Sequence, residues 1–274
     1  MIQAASRQAL ASVRVQVESV LGRFSSTDGL AGLADELYSI GGLLTKQPRL
    51  RRRMADPASS AEARKALAEH LLQGRVSASA LSVAGEAVSQ RWSTAWDLVD
   101  ALEASGDDVL LAAAEKAGVI DEVEDELFRF ERIIDAESGL ATLLDEVTAS
   151  TERRVGLLEQ VLGGKVHALT LALVRHAVVA QRKRSVRLAL DDLIEAAGVR
   201  RERYVARVIS AVPMTDHQQG ALADQLSQLY GRRIEVRYAI DPSIRGGLVV
   251  RVGDEIIDGS VAARLAQIRN AFAS

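Results

Sequence analysis

The chain contains no cysteine, which excludes disulfide frameworks, thiolate nucleophiles and cysteine-held metals. Proline is scarce, with four in 274 residues, and long stretches are therefore free to be helical. Aromatic residues make up 4% of a chain that is 48% hydrophobic, so Ala, Leu and Val supply the apolar surface, as suits close-packed helices. Charge of one sign is also lacking: the net charge is −3 and the pI about 5.9, without the basic excess of a general nucleic-acid binder. The longest apolar stretch, ALTLALVRHAVVA, is broken by Arg175 and His176 and falls short of the about 20 residues a membrane helix needs. The opening MIQAASRQALASVRVQVES carries charge throughout and has no apolar core of signal-peptide length. The expectation is a soluble, cytoplasmic chain that reaches a membrane only through partners.

Chemistry-bearing motifs are missing as well. LGGKV at 162–166 fails as a phosphate loop: the first glycine of that motif would fall on Glu159, and Val166 stands where Ser or Thr is required. A helix-to-helix turn fits better, because Gln73-Gly74-Arg75-Val76 offers the same turn elsewhere. His70, His167, His176 and His217 have neither a second ligand four residues on nor a cysteine partner, so no metal spacing exists. No Gly-x-Ser-x-Gly occurs. The reading is no catalytic residue, no metal and no cofactor. The acidic run Asp121, Glu122, Glu124, Asp125 and Glu126 reads as a solvated complement to a helix N-terminus. The basic runs 49–53 and 182–184 read as solvated helix ends. The alternative for them is an arginine rim meeting acidic partner helices, since only five of the 34 basic residues are lysine.

What the chain does contain is a repeat. Offset by 90 residues, Asp35-Glu36-Leu37-Tyr38 falls on Asp125-Glu126-Leu127-Phe128, Glu62 on Glu152, Arg64 on Arg154, Gly74 on Gly164 and Leu81 on Leu171. The period is too long for a solenoid and indicates a duplicated domain. Periodicity of 3.6 predicts helices over about 4–22, through Leu30–Leu44, from the box Ser59-x-x-Glu62 to Gly74, and over 77–91 and 92–104. The second copy is expected over 107–117, 119–136, 151–162, 165–181 and 184–197. Beyond Gly198 the pattern becomes a strand over 204–212, a helix from the box Thr215-x-x-Gln218, and an alternating strand Ile234–Ile240. A Gly-Gly hairpin and a last helix over 260–273 follow. The fold class is therefore mainly α: two related antiparallel helical bundles, 1–105 and 106–198, followed by a small α/β domain, 199–274.

The segment DPSIRGGLVVRVGDEIIDGS at 241–260 is the most specific part. Asp241-Pro242 opens a turn, Ile244 precedes Gly246-Gly247, and Leu248, Val250 and Val252 alternate in a strand. Gly253-Asp254 reverses the chain, and Asp258-Gly259-Ser260 precedes the final helix. Every polar position has a backbone task. With Ile240, Arg251, Val261, Arg264 and Leu265, these residues resemble, in register, the signature of the delta subunit of bacterial F-type ATP synthase, called OSCP in mitochondria. A duplicated helical domain resembles the long actinobacterial form of that family, with the first copy as the extra one.

The resemblance implies a non-catalytic stator subunit that binds the N-termini of the alpha subunits of the catalytic head, with the beta subunits as a further candidate partner. Its α/β domain would hold the b-type peripheral stalk, at the cytoplasmic face of the plasma membrane. Alpha N-termini would lie in a groove between the first and fifth helices of a bundle. Candidate positions are Val13, Val17, Leu81 and Val88 in the first copy and Leu111, Ala114, Leu171 and Val178 in the second. The stalk-docking candidates are Asp241, Ile244, Gly246, Gly247, Leu248, Val250, Gly253, Asp258 and Gly259. The alternative function is a helical interaction scaffold or regulator unrelated to ATP synthase.

Overall fold

The computed structural model describes residues 4–146, 148–180, 185–202, 205–230, 234–242, 244, 246–252 and 255–259. The expected final helix, the Gly253-Asp254 reversal and the basic run 182–184 lie outside the described residues. The chain divides into two compact units, Met1–Ala197 and Gly198–Ser274.

The first unit is helical, with α1 (Ala4–Leu21), α2 (Thr27–Lys46), α3 (Pro48–Met54), α4 (Ala61–Leu72), α5 (Ala78–Ser89) and α6 (Ala95–Ala117). It continues with α7 (Ile120–Ala136), α8 (Ser138–Asp145), α9 (Thr151–Leu162), α10 (Ala168–Val179) and α11 (Val186–Glu202). The 90-residue offset holds in space: α4 and α9, and α5 and α10, start and end at equivalent residues. Ser60 and Ser150 cap α4 and α9 through the N–H groups of Ala63 and Arg153. Gly74 and Gly164 turn with φ of 74° and 70°, a region that favours glycine. The helix-to-helix turn at LGGKV is thus confirmed, and the Lys165 ammonium donates to the Val161 carbonyl at 2.8 Å.

Three expectations need correction. The helices expected over 92–104 and 107–117 are one helix, α6, which starts at a Thr94–Asp97 capping box and ends at Gly118 in the left-handed region. Offset by 90, α1 falls on α6 and α6 falls on α11. One helix therefore serves as the last of the first copy and the first of the second, and the expected limit at 105/106 falls inside it. A single apolar core runs through both copies, from Ala9, Val13 and Val17 to Val186, Leu190 and Leu193. The cap of α4 is Ser60 and not Ser59, whose hydroxyl donates instead to Asp56. Finally, α3 and α8 were not anticipated; α3 begins at Pro48, where a missing N–H costs nothing.

Buried polar groups brace each copy at equivalent places. The Arg64 guanidinium is buried and spends all five N–H groups on carbonyls: Nε on Val88 at 2.6 Å, Nη2 on Ser89 and Gln90, and Nη1 on Asp56 and Ser59. It thereby satisfies the open C-terminal carbonyls of α5 and fastens them to the loop before α4. Arg154 repeats the anchor to the fifth helix in the second copy, its Nη1 donating to the Val178 carbonyl at 2.8 Å. Glu36 of α2 accepts from the backbone N–H of Ser77 at 2.9 Å, and Glu126 of α7 accepts from that of His167, so each places an anion at the N-terminus of the fifth helix. Glu126 is thus not merely a solvated member of the acidic run. Arg51, buried in the basic run, donates to the carbonyls of Leu44 and Thr45 and lies 3.5 Å over the Trp96 ring.

The second unit is an α/β layer: β1 (Val205–Ser210), α12 (Asp216–Tyr230), β2 (Glu235–Ile240), β3 (Leu248–Val252) and β4 (Glu255–Asp258). The sheet order is β2-β1-β3-β4, with β1 and β2 parallel and the other pairs antiparallel. Ala206, Val208, Val250 and Val252 form its core with Leu226 of α12, and the Tyr238 hydroxyl donates to the Gln219 carbonyl at 2.8 Å. The capping box at Thr215 forms as expected, with Gln218 Oε1 on the Thr215 N–H and Thr215 Oγ1 on the Gln218 N–H.

Arg64→Ala leaves the α5 terminus with buried carbonyls lacking donors. The expected loss is about 3 kcal/mol in a urea titration. Arg64→Lys, with a compact ammonium in place of a planar fork, should recover only part of it. An Arg64→Ala protein as stable as the unsubstituted chain would remove the brace from this account.

Candidate functional site

The expected groove residues are mostly interior. Val13, Val17, Val88, Leu111, Ala114 and Val178 are fully buried in the helical core, and Leu81 and Leu171 are half-buried against it. Their stripes exist because the helices pack on one another. A groove would lie beside them, on the outer flanks of the first and fifth helices.

Those flanks differ between the copies. In the second copy the equivalents of Ser12, Gln16 and Ser19 are Leu102, Gly106 and Val109, all buried on one face of α6. At its centre sits Tyr38 of α2. A Cβ on Gly106 would lie 2.2 Å from the Tyr38 ring, so only glycine leaves room for it. The Tyr38 hydroxyl donates to Asp107 Oδ1 at 2.8 Å, and its ring stacks on His176 of α10 at 3.5 Å. The junction of α6 and α10 is therefore filled by the chain's own α2. In the first copy, Gln16 of α1 donates to Ser82 Oγ of α5 at 2.8 Å. Among the described residues no helix covers that flank, which carries Ser12, Gln16, Ser19, Ser82 and Glu86.

Sequence reasoning missed this joint. The available signal was Gly106 within an otherwise apolar helix, together with Tyr38 standing where its repeat partner Phe128 has no hydroxyl. Burial raises the Asp107 carboxyl to about 8, the Tyr38 hydrogen bond opposes that rise, and Asp108, Glu103 and Asp192 add to it. Burial beside Asp107 likewise pushes the Tyr38 phenol well above its ordinary range.

The 241–259 segment bears out its backbone reading where it is described. The Asp241 N–H donates to the Ser210 carbonyl at 2.9 Å, and the Ile244 N–H returns to Asp241, closing the turn. Gly246 and Gly247 both have positive φ, 84° and 79°, a succession that side chains would strain. Leu248 and Val250 face α12, and Asp258 pairs with Val249 at the sheet edge. A Cβ on Gly259 would press on the Leu248 carbonyl at 3.1 Å. Gly253 lies outside the described residues. Among the described residues no group of three His, Asp or Glu could hold a metal, and no helix is long and apolar enough to cross a membrane. A shallow cleft of about 510 Å³ is lined by Arg49, Arg52, Arg53, Asp56, Trp92 and Thr94, and the Asp56 and Thr94 side chains are engaged in local turn and capping hydrogen bonds there.

The Asp107 shift has a pH signature. The folded chain holds a proton that the unfolded chain releases near pH 4, so this contribution to stability is full below that pH and declines as pH rises toward 8. Asp107→Asn keeps an acceptor for Tyr38 and removes the decline. Thermal melts should show the variant gaining several degrees at pH 8 and much less at pH 5; equal shifts at both would exclude the assignment.

The model of the family described as ATP synthase delta (OSCP) subunit matches residues 108–272, from within α6 through the α/β unit. A protein of Streptomyces griseus named ATP synthase subunit delta is 42% identical over 264 residues, 96% of this chain and 97% of the relative. Proteins of the same name from Acidothermus cellulolyticus and Corynebacterium aurimucosum are 39% identical over 100% of both chains and 38% identical over 98% of both. These relatives span the first helical copy as well, which the family match does not reach. On this match and these full-length relatives, the chain belongs to the ATP synthase delta (OSCP) subunit family.

Proposed function

We propose that this chain, by its family a structural stator subunit of ATP synthase and not a catalytic one, couples the catalytic head to the b-type peripheral stalk. The two helical copies, which share α6, form the head-facing block, and the α/β unit holds the stalk. Such a coupling keeps the head from turning with the rotor, so that proton-driven rotation yields ATP. The observation that carries this reading is the single apolar core running through both copies along α6. A torque-bearing adaptor needs a block without an internal hinge, and a continuous close-packed core supplies it. Family membership sets aside the alternative of an unrelated scaffold or regulator. Membrane association is peripheral, and we place it at the cytoplasmic face.

The flanks support placing the alpha N-termini on the first copy. The α6/α10 junction is filled by Tyr38, whereas the α1/α5 flank is open among the described residues. The alpha segment docks on the first copy, along Ser12, Gln16, Ser19, Ser82 and Glu86, as a helix with a partly polar contact face. Asp241, Ile244, Gly246, Gly247, Leu248, Val250, Asp258 and Gly259 shape the hairpin of the stalk-holding unit.

Two measurements test this division of labour. A chain lacking residues 241–274 should still capture the catalytic head in a pull-down but recover no stalk subunit; undiminished stalk recovery sinks the assignment of the α/β unit. Ser82→Arg should weaken capture of an alpha N-terminal peptide about tenfold, as a charge placed across a docking face does, while Val179→Arg on α10 leaves it unchanged. The reverse ranking would move the site to the second copy.

A further inference from the structure

In the second copy, α8 carries Gly139, Ala141, Thr142 and Leu143 at the positions where α3 carries Arg49, Arg51, Arg52 and Arg53. Both helices start at equivalent residues, Pro48 and Ser138, and both bury the equivalent residue, Met54 and Leu144. This turn of the repeat therefore folds without arginine. Like charges one turn apart, as at Arg49 with Arg52 and Arg53, disfavour a helix. Arg51 has a structural task on the carbonyls of Leu44 and Thr45. Arg49 and Arg52 are exposed and make no hydrogen bond, ion pair or ring contact among the described residues. Arg53 reaches Asp56 only at 3.8 Å, with 70% of its side chain exposed, a contact that water screens.

These three arginines line one side of the shallow cleft of about 510 Å³, and Trp92 to Ala95, the turn into α6, line the other. Asp56 is the single carboxylate in the lining, and it already accepts from the N–H of Ala58 and the hydroxyl of Ser59. The Thr94–Asp97 box occupies the cap of α6, so the guanidinium groups supply the positive potential of the cleft. The rest of the lining is largely apolar, with Ala55, Pro57, Trp92 and Ala95. The Trp92 ring is only 8% exposed and its N–H donates to the Ala87 carbonyl, so it offers a floor and not a platform for a stacked base.

We propose that this cleft binds an acidic, extended peptide segment of another protein, its carboxylates on Arg49, Arg52 and Arg53 and its intervening apolar side chains against Trp92, Ala55 and Pro57. In an extended segment, alternate side chains share a face about 7 Å apart. Arg49 lies one helical turn from Arg52 and Arg53, about 5–6 Å between Cβ atoms. Carboxylates two residues apart therefore reach neighbouring guanidinium groups, each of which can donate two parallel hydrogen bonds. The residue between them turns to the other side of the cleft. A lone phosphate would meet the charge but leave the apolar lining uncovered. The site shares no residue with the α1/α5 flank or with the α/β unit, so its failure would leave the roles proposed for those surfaces standing.

The test uses the full chain and two reporters that it already holds. Its only tryptophans, Trp92 and Trp96, stand in the cleft and in the first turn of α6, so their emission reads the site. Titration with the peptide acetyl-ELELE-amide at low salt should change that emission saturably, and high salt should weaken the binding. Arg52→Thr, the residue that α8 carries at this position, should weaken binding about tenfold, whereas Arg52→Lys should keep part of it. Arg49→Glu together with Arg52→Glu should abolish it, and Arg75→Glu on the turn after α4 should leave it unchanged. Circular dichroism confirms that each variant is folded. An unsubstituted chain that gives no saturable change overturns the site, as does binding that survives both Arg52→Thr and the double substitution. Equal or tighter binding of inorganic phosphate, an RNA oligonucleotide or phosphatidylglycerol vesicles at matched charge overturns the peptide in favour of that anion.

Discussion

The close approach of α2 and α6 is the contact on which the helical unit depends. Gly106 removes one side chain from α6, the Tyr38 ring enters the space, and its hydroxyl finds Asp107 while its face meets His176. Three helices from two copies are thus held by one residue. Because α6 belongs to both copies, any displacement of α2 is felt in the second bundle without passing through a linker. Close-packed interiors transmit strain in this way, since neighbouring side chains have no free volume into which to relax.

Around that joint the polar interior follows a rule repeated in each copy. Arginine closes the C-terminal end of the fifth helix and glutamate its N-terminal end, so the fifth helix is clamped at both poles of its dipole. Charges in a low-dielectric interior are tolerable only when their hydrogen-bonding groups are occupied, and Arg64 meets that condition with all five donors. Retention of the same two charges at a 90-residue interval, while most surface residues differ, explains why the repeat was visible through Arg64/Arg154 and Glu36/Glu126.

Helical content, the repeat and the order of elements in the α/β unit were legible because each leaves a periodic or turn-specific trace. The bounds of α9 were legible to the residue, and the left-handed glycines at 74, 164, 246 and 247 could be anticipated from their flanking strands and helices. The continuity of α6 was not legible, because Ser105-Gly106-Asp107-Asp108 looks like a turn until the Tyr38 ring is known to need the glycine. Groove residues could not be separated from core residues, since both are apolar at helical spacing and only the neighbours distinguish Val13 from an exposed stripe. Cross-strand neighbours were hidden for another reason: Arg207, Arg237 and Arg251 sit singly in three strands, and only register sets them opposite one another.

Sharing α6 makes the repeat extensible: the last helix of each copy offers the next one its first. The serines and glutamine of α1 set its outer flank apart from that of α6. Where α6 presents Leu102, Gly106 and Val109 to a following helix, α1 presents Ser12, Gln16 and Ser19. With the apolar set at α1, a second molecule could seat its own α2 there and add head to tail without closure, the geometry that builds filaments. The hydroxyls and amide of α1 leave that end of the pair without the apolar seat such head-to-tail addition needs.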